Sequence, residues 1–365
     1  MERSLRGNQH WDEISAFLTQ AMNEAQIPGL SLAVLHAGNL LFAQGYGVAS
    51  IELAVPASSQ TVYGLGSVTK TFTATAILHL VQEGRLGLDE RTRTYLPEAP
   101  ASWSEMTLRH LLTHSAGLPP IIQFGQYGAS EQELQRLDIP RDEVLRAIFH
   151  LPLDFPPRTQ TRYGSTGYIL LGTIIERVSG KPYSQFLAER IFQPLGMTST
   201  RLNDPAAIIP HRAAGYRLEE GTLKNAEFVS ALWHYAPNGL VSSVLDLARW
   251  DAALTAGWLL SPSLLDQMWE PTTLADGQRA EFGLAWSVEQ TARGKLVTHV
   301  GSRPGYASYR ARFLDAQVSI ILLANRRHAP LRKLGQSLAQ RIFESHSEIA
   351  SNTRRAGDPP SCESV

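Results

Sequence analysis

Residues 63–70 read Tyr63-Gly64-Leu65-Gly66-Ser67-Val68-Thr69-Lys70, and Thr71-Phe72-Thr73-Ala74-Thr75-Ala76-Ile77-Leu78-His79-Leu80-Val81-Gln82-Glu83 carry the run on to Gly84. Phe72, Ala76, Leu78, Leu80 and Val81 alternate with Thr and His, which predicts a helix over Ser67–Glu83 that Gly84 stops. The helix opens on S-x-x-K. A spacing of three puts Ser67 and Lys70 on one face a turn apart, so the amine can accept or relay the hydroxyl proton. Serine is a poor nucleophile without such a base. The helix N-terminus adds unpaired N–H groups and a positive dipole end, which suit an oxyanion. The same letters also describe an N-cap serine followed by a solvated lysine.

On the N-terminal side, Trp11–Gln26 carries Ile14, Phe17, Leu18 and Met22 at helical spacing and ends before Pro28. Leu30–Leu35 and Leu40–Gly45 flank His36-Ala37-Gly38-Asn39 and read as a β-hairpin. On the C-terminal side, from about Arg91 to Gly283, helices are expected at Leu108–His114, Arg141–His150, Thr166–Ser179, Tyr183–Ile191 and Val244–Ala256, with little strand-type alternation. Short β-rich runs return at Gly283–Glu289, Leu296–Val300, Ala307–Leu314 and Val318–Asn325, followed by a helix over Leu331–Ser345. Strands at both ends and helices between predict an α/β (α+β) chain. A mostly antiparallel sheet, built from both termini and flanked by helices, would carry an inserted helical lobe and leave a cleft between the two. The expected domains are a discontinuous sheet domain, residues 1–90 and 283–348, and a helical domain, 91–282. The polar stretch Ile349–Val365 reads as a flexible tail.

Composition narrows the function. The 365 residues are 43% hydrophobic and 18% charged, ordinary for a folded domain. Lys plus Arg total 33 against 34 Asp plus Glu, so no positive excess favours nucleic acid or anionic lipid. The single cysteine, Cys362, excludes an intrachain disulfide and a Cys-based zinc cluster. No apolar run approaches the roughly 20 residues of a membrane span. Met1 to Gln9 has no signal-peptide pattern, so the expected location is cytoplasmic, or periplasmic or secreted if a leader has been trimmed. Oligomeric state is not legible.

Other chemistries fail on pattern. His110 and His114 share a helix face, but Leu111-Leu112-Thr113 between them holds no glutamate for a zinc-protease motif. Gly45-Tyr46-Gly47-Val48-Ala49-Ser50 lacks the third glycine of the dinucleotide fingerprint. No phosphate loop and no G-x-S-x-G elbow occur. Neither metal nor cofactor is expected.

Around Ser67 the chain resembles the serine hydrolase family of class C β-lactamases, D-Ala-D-Ala carboxypeptidases and related esterases, over roughly Ile27–Asn325. The resemblance rests on Tyr63 to Lys70, on His110-Leu111-Leu112-Thr113-His114-Ser115-Ala116-Gly117-Leu118-Pro119, and on Tyr163-Gly164-Ser165-Thr166-Gly167-Tyr168. It continues through Pro194-Leu195-Gly196-Met197, Asn238-Gly239-Leu240-Val241-Ser242-Ser243 with Asp246-Leu247-Ala248, and His299-Val300-Gly301 with Gly305, in the family's order. It implies a β-lactamase/transpeptidase-like fold with Ser67 as acylated nucleophile and Lys70 as its partner. Tyr163, the tyrosine of Y-x-N, would share a proton with Lys70 and act as a phenolate stabilised by the ammonium. His299-Val300-Gly301 would stand for K-T-G or H-x-G, with Gly301 admitting substrate backbone and His299 polarising the Tyr163 region or the substrate's acidic end. The oxyanion hole would be the backbone N–H of Ser67 and of Ser302.

The chain departs from that pattern twice. Ser165 replaces the asparagine that would grip an acylamido group, which weakens the case for efficient β-lactam turnover. His299 replaces lysine and, mostly neutral near pH 7, anchors a carboxylate less firmly, with Arg303 an available substitute if it is more than an exposed loop arginine. Phe124, Tyr127, Trp233, Tyr235 and Tyr306 lie in loops that the family aims at its cleft, where they would build an apolar acyl pocket or simply cover the core. The expected activity is acyl-enzyme hydrolysis of small-molecule carboxylic esters or D-amino-acid amide or peptide bonds, esters first, with weak β-lactam turnover at most. The alternative is a penicillin-binding or sensor-type protein that is acylated without turnover.

Overall fold

The computed structural model describes residues 2–120, 139–227, 229–230 and 235–355. Twelve strands run through them: β1 Gly29–His36, β2 Asn39–Ser50, β3 Val55–Pro56, β4 Tyr63–Gly64, β5 Arg201–Leu202, β6 Tyr216–Glu219, β7 Thr222–Asn225, β8 Leu240–Ser242, β9 Ser287–Thr291, β10 Gly294–Arg303, β11 Tyr306–Phe313 and β12 Val318–Ala324. Seven form one antiparallel sheet in the order β3-β2-β1-β12-β11-β10-β9. The expected sheet from both termini is present, closed by the pairing of β1 with β12, Leu30 opposite Ala324 through His36 opposite Val318.

Both faces of this sheet are covered, which is why β12 and most of β1 read as continuous apolar runs rather than alternating ones. Leu30, Leu32, Val34, Ile320 and Leu322 face outward onto the N-terminal helix Glu2–Glu24 and the C-terminal helix Leu331–Arg355, through Ile14, Leu18, Leu334 and Leu338. Ala33, Leu35, Ile321, Leu323 and Val297 face inward, in one hydrophobic cluster with the helices Thr69–Gln82, Thr166–Ser179 and Val244–Thr255.

The middle of the chain is less purely helical than its pattern suggests. It contributes β5–β8, with β4, β8 and β5 forming a small sheet and β6–β7 a hairpin. At two to four residues each, these strands are too short to show alternation. Tyr183–Leu187 is helical, and Ala188–Phe192 continues it as a π-turn. The C-terminal helix runs through Ile349 to Arg355, beyond Ser345, so the first part of the expected tail is helical, and residues 356–365 lie outside those described. No described helix is long and apolar enough to cross a membrane.

On the inward face Arg310 and Arg312 of β11 meet Asp251 at 2.5 and 2.9 Å, all three buried, and the Arg310 guanidinium lies 3.9 Å from the Trp250 ring. Burial pushes the Asp251 carboxyl up, but Arg312 and Arg310 outweigh it, so the carboxyl stays ionised, with a lowered pKa. Asp251→Asn leaves two buried guanidiniums without their counter-ion and is expected to cost about 3 kcal/mol in a urea unfolding titration. A loss below about 1 kcal/mol would show that the cations are compensated elsewhere.

Candidate active site

Ser67 sits half-buried in a 3-10 turn, Gly66–Val68, that feeds the Thr69–Gln82 helix. Two neighbours hold the turn. The Leu65 N–H donates to Leu240 O at 2.9 Å and the Leu240 N–H to Thr69 Oγ1 at 3.1 Å, tying it to β8. On the other side it abuts β10. Gly66 has φ +52, and a Cβ there would come within 2.8 Å of Ser302 N, so glycine is required twice over, by conformation and by space.

Lys70 is fully buried one turn on, its Nζ donating to Ser67 Oγ at 3.2 Å and to Pro237 O at 3.0 Å. Among the described residues no carboxylate pairs with it, and desolvation alone pulls the amine down to about 7. A large share of the molecules therefore holds a neutral, basic Nζ beside the hydroxyl at neutral pH.

Tyr163 reaches the same point from the loop before Thr166–Ser179. Its ring is 43% exposed and 5.0 Å from Lys70 Nζ, and its hydroxyl hydrogen-bonds to Ser67. Desolvation pushes the phenol up to about 12, with the Ser67 bond pulling the other way. The direction of that shift runs against the phenolate that the resemblance implies, since desolvation disfavours the charged form.

His114 was a failed metal motif in the sequence, and here it positions the tyrosine loop. Its Nδ1 accepts the Gly164 N–H at 3.3 Å, its carbonyl accepts the Arg162 N–H at 2.9 Å, and its ring lies 4.5 Å from the Tyr163 ring. His110 instead completes a capping box with Thr107 at the head of Leu108–Leu112. The sequence signal for His114 was its place in the His110–Pro119 motif. Pro237 and Phe282, whose ring lies 5.1 Å from that of His114, gave no signal.

His299 lies on β10, buried, its ring 6.2 Å from the Tyr163 ring, so Ser67, Lys70, Tyr163 and His299 converge. Burial, then the Lys70 charge, lowers its imidazole to about 3, and the ring is neutral. Strand β9 covers β10 only from Gly294 to Thr298, leaving the edge from His299 to Arg303 to face the nucleophile turn. The Gly294 carbonyl accepts from Thr291 on the β9 side, and the Lys295 carbonyl accepts from Leu314 on the β11 side. Alternation along an antiparallel strand then points the Ser302 N–H to the open edge, beside Gly66 and Ser67.

The remaining expected residues have other duties. At Gly301 a Cβ would fall 2.0 Å from Leu65 O and 2.2 Å from Ser308 Oγ, so the nucleophile turn and β11 by themselves require glycine there. Arg303 is a buried strand residue rather than an exposed loop one, its side chain packed over Gly64. Tyr306 spends its hydroxyl on Ala213 O at 2.6 Å. Tyr235 is core, edge-on to Tyr183 at 5.1 Å and under Arg141 at 3.8 Å. Ser165 is half-buried at the head of Thr166–Ser179. Phe124, Tyr127 and Trp233 lie outside the described residues.

A serine hydroxyl 3.2 Å from a buried lysine amine and beside a strand edge, in a mixed fold with a large antiparallel sheet, points to a serine hydrolase. Residues 14–342 match the beta-lactamase family, and the chain belongs to it. It is 30% identical to penicillin-binding protein 4* of Bacillus subtilis (strain 168), over 82% of this chain and 68% of that one. Among solved structures, it is similar to the octameric penicillin-binding protein homologue from Pyrococcus abyssi, with 28% identity, TM-score 0.74 and coverage of 86% and 73% of the two chains. It is also similar to D-amino acid amidase from Ochrobactrum anthropi SV3, with 25% identity, TM-score 0.79 and coverage of 93% and 99%.

Proposed function

We propose that this serine hydrolase acts through an acyl-enzyme on Ser67, taking small carboxylic esters first and D-amino-acid amides second. The observation that carries the reading is the buried Lys70 amine 3.2 Å from Ser67 Oγ, with no carboxylate partner among the described residues and a pKa lowered to about 7. In this scheme neutral Lys70 takes the Ser67 proton as Oγ attacks the substrate carbonyl, and the Ser67 and Ser302 N–H groups bind the oxyanion. Tyr163, a neutral phenol, relays a proton to the departing alkoxide or amine and is reprotonated by Lys70. A water deprotonated by Lys70 then attacks the ester to Ser67, and Lys70 returns that proton to the departing Ser67 Oγ as the acid is released.

The preference for esters rests on Ser165, too short to hold an acylamido group, and on the better leaving group of an ester. The amide reading is supported by the likeness to a D-amino acid amidase. Initial rates with p-nitrophenyl butyrate, an N-acylated D-Ala-D-Ala peptide and benzylpenicillin test the order, and the expected ranking of kcat/KM is ester, then peptide, then penicillin. Faster peptide turnover overturns the ester preference. A stable penicillin adduct on Ser67, without turnover of any of the three, supports the sensor-type alternative instead.

A further inference from the structure

Arg158 precedes Tyr163 by five residues, and its backbone lies in the left-handed region, φ +71, where an arginine is rare. Three hydrogen bonds hold it there. Its N–H donates to Ser115 O at 2.8 Å, its carbonyl accepts the Ala275 N–H at 2.9 Å, and its side-chain Nε donates to Thr273 O at 3.2 Å. Among the described residues no carboxylate pairs with this guanidinium, and its terminal nitrogens meet no acceptor. An exposed arginine ordinarily gives up rotamer freedom when it grips a ligand, and this one has already lost much of it.

The guanidinium borders a cavity of about 390 Å³ between the Leu108–Leu112 helix and residues 267–273. Both carboxylates that line it are already spent. Asp89 takes Arg109 at 2.8 Å on each oxygen, and Glu270 takes Arg279 at 2.6 Å and Lys295 at 3.4 Å. Burial, then the Arg158 charge, lowers the His110 imidazole to about 4, so its ring is neutral at neutral pH. Its Nδ1 accepts the Thr107 N–H at 3.2 Å, which leaves the proton on Nε2 and makes His110 a donor to the cavity. A wall that holds an unpaired guanidinium, a paired one and an imidazole N–H attracts an oxyanion. The donors stand on separate segments, Arg158 on the loop and Arg109 and His110 on the helix, which suits the three acceptor oxygens of a phosphate group better than a single planar carboxylate.

We propose that this cavity is a second binding site, separate from the Ser67 centre, in which Arg158 anchors a phosphate group with Arg109 and His110 beside it. The site does not depend on the acyl-enzyme reading above.

Calorimetric titration of the full chain with inorganic phosphate, at neutral pH and at an ionic strength fixed with sodium chloride, tests the assignment. Saturable binding to a single site is expected, retained in Lys70→Met, which removes the catalytic cation, and weakened at least about tenfold in Arg158→Gln. Phenyl phosphate, titrated in the same way, separates two sources of the group: tighter binding than inorganic phosphate supports a phosphomonoester ligand, weaker binding supports the free ion. The left-handed backbone makes Arg158→Gln a folding risk, so chemical labelling of the unsubstituted chain is the second readout. With phosphate at ten times its Kd, phenylglyoxal modification of Arg158, followed by peptide mass, is expected to slow at least about fivefold. The exposed Arg146 reacts as before and serves as the reference. Absence of saturable binding, loss of binding in Lys70→Met, unchanged affinity in a folded Arg158→Gln variant, or protection of Arg158 no greater than that of Arg146 overturns the proposal.

Discussion

Ser67→Ala lowers Ser67-dependent hydrolysis of p-nitrophenyl butyrate by at least about 10³-fold, with the loss in kcat rather than KM. The oxygen removed is the one that Lys70 Nζ approaches at 3.2 Å and that the Tyr163 hydroxyl also contacts, so no other described hydroxyl inherits the arrangement. Binding surfaces and strand amides remain, which is why KM holds and some residual rate persists. Stability hardly changes, since the lost group is small and half-buried. Equal activity in intact and substituted protein would place the catalyst elsewhere and refute the assignment.

Lys70→Met lowers the same rate by a similar factor, at least about 10³-fold, yet raises the melting temperature. The two effects have one origin. The folded pKa of Lys70, about 7, lies below the 10.5 of an unburied lysine, so between those values the unfolded chain binds more protons than the folded one. Stability from this group therefore rises as pH goes up through that window, and below pH 7 the folded state carries the full penalty. At neutral pH the penalty is on the order of 4 kcal/mol, and methionine fills much of the same space without it. The gain is expected to shrink from pH 7 towards pH 10, as unfolding midpoints at the two pH values would register. In the intact enzyme, kcat/KM rises with pH to a plateau above about 7 as Nζ loses its proton. Lower stability in Lys70→Met at neutral pH would mean that the amine is bound as a structural cation, not held as a base.

Much of the fold was legible because two of its devices leave strong local traces. The apolar runs at Gly29–Leu35 and Val318–Ala324 are doubly covered strands, and the Thr166–Ser179 helix ends on Gly180 in a left-handed conformation. Strands β4, β5 and β8 are two or three residues long and owe their pairing to tertiary contact, which no local pattern encodes. Ser67, Lys70, Tyr163 and His299 were found through ordered motifs, and they converge. Their protonation was not legible, since it depends on burial supplied by distant segments. That is why the upward push on the Tyr163 phenol and the crowding of Gly301 by Leu65 and Ser308 could not be read from the motifs. Arg303 failed for a related reason: a basic residue beside Pro304 looks like a loop, and only the register of β10 against β11 places it inside.

The pairing of β1 with β12 has a consequence during synthesis. The Gly29 amide is held by the Asn325 side chain, 296 residues later, so a nascent chain emerging from the ribosome cannot close its central sheet until Asn325 is outside. Until then β1 keeps an unpaired edge on the side that β12 will cover. Termination between residues 67 and 318 thus leaves the serine in the covalent chain without the β12 strand that closes its sheet.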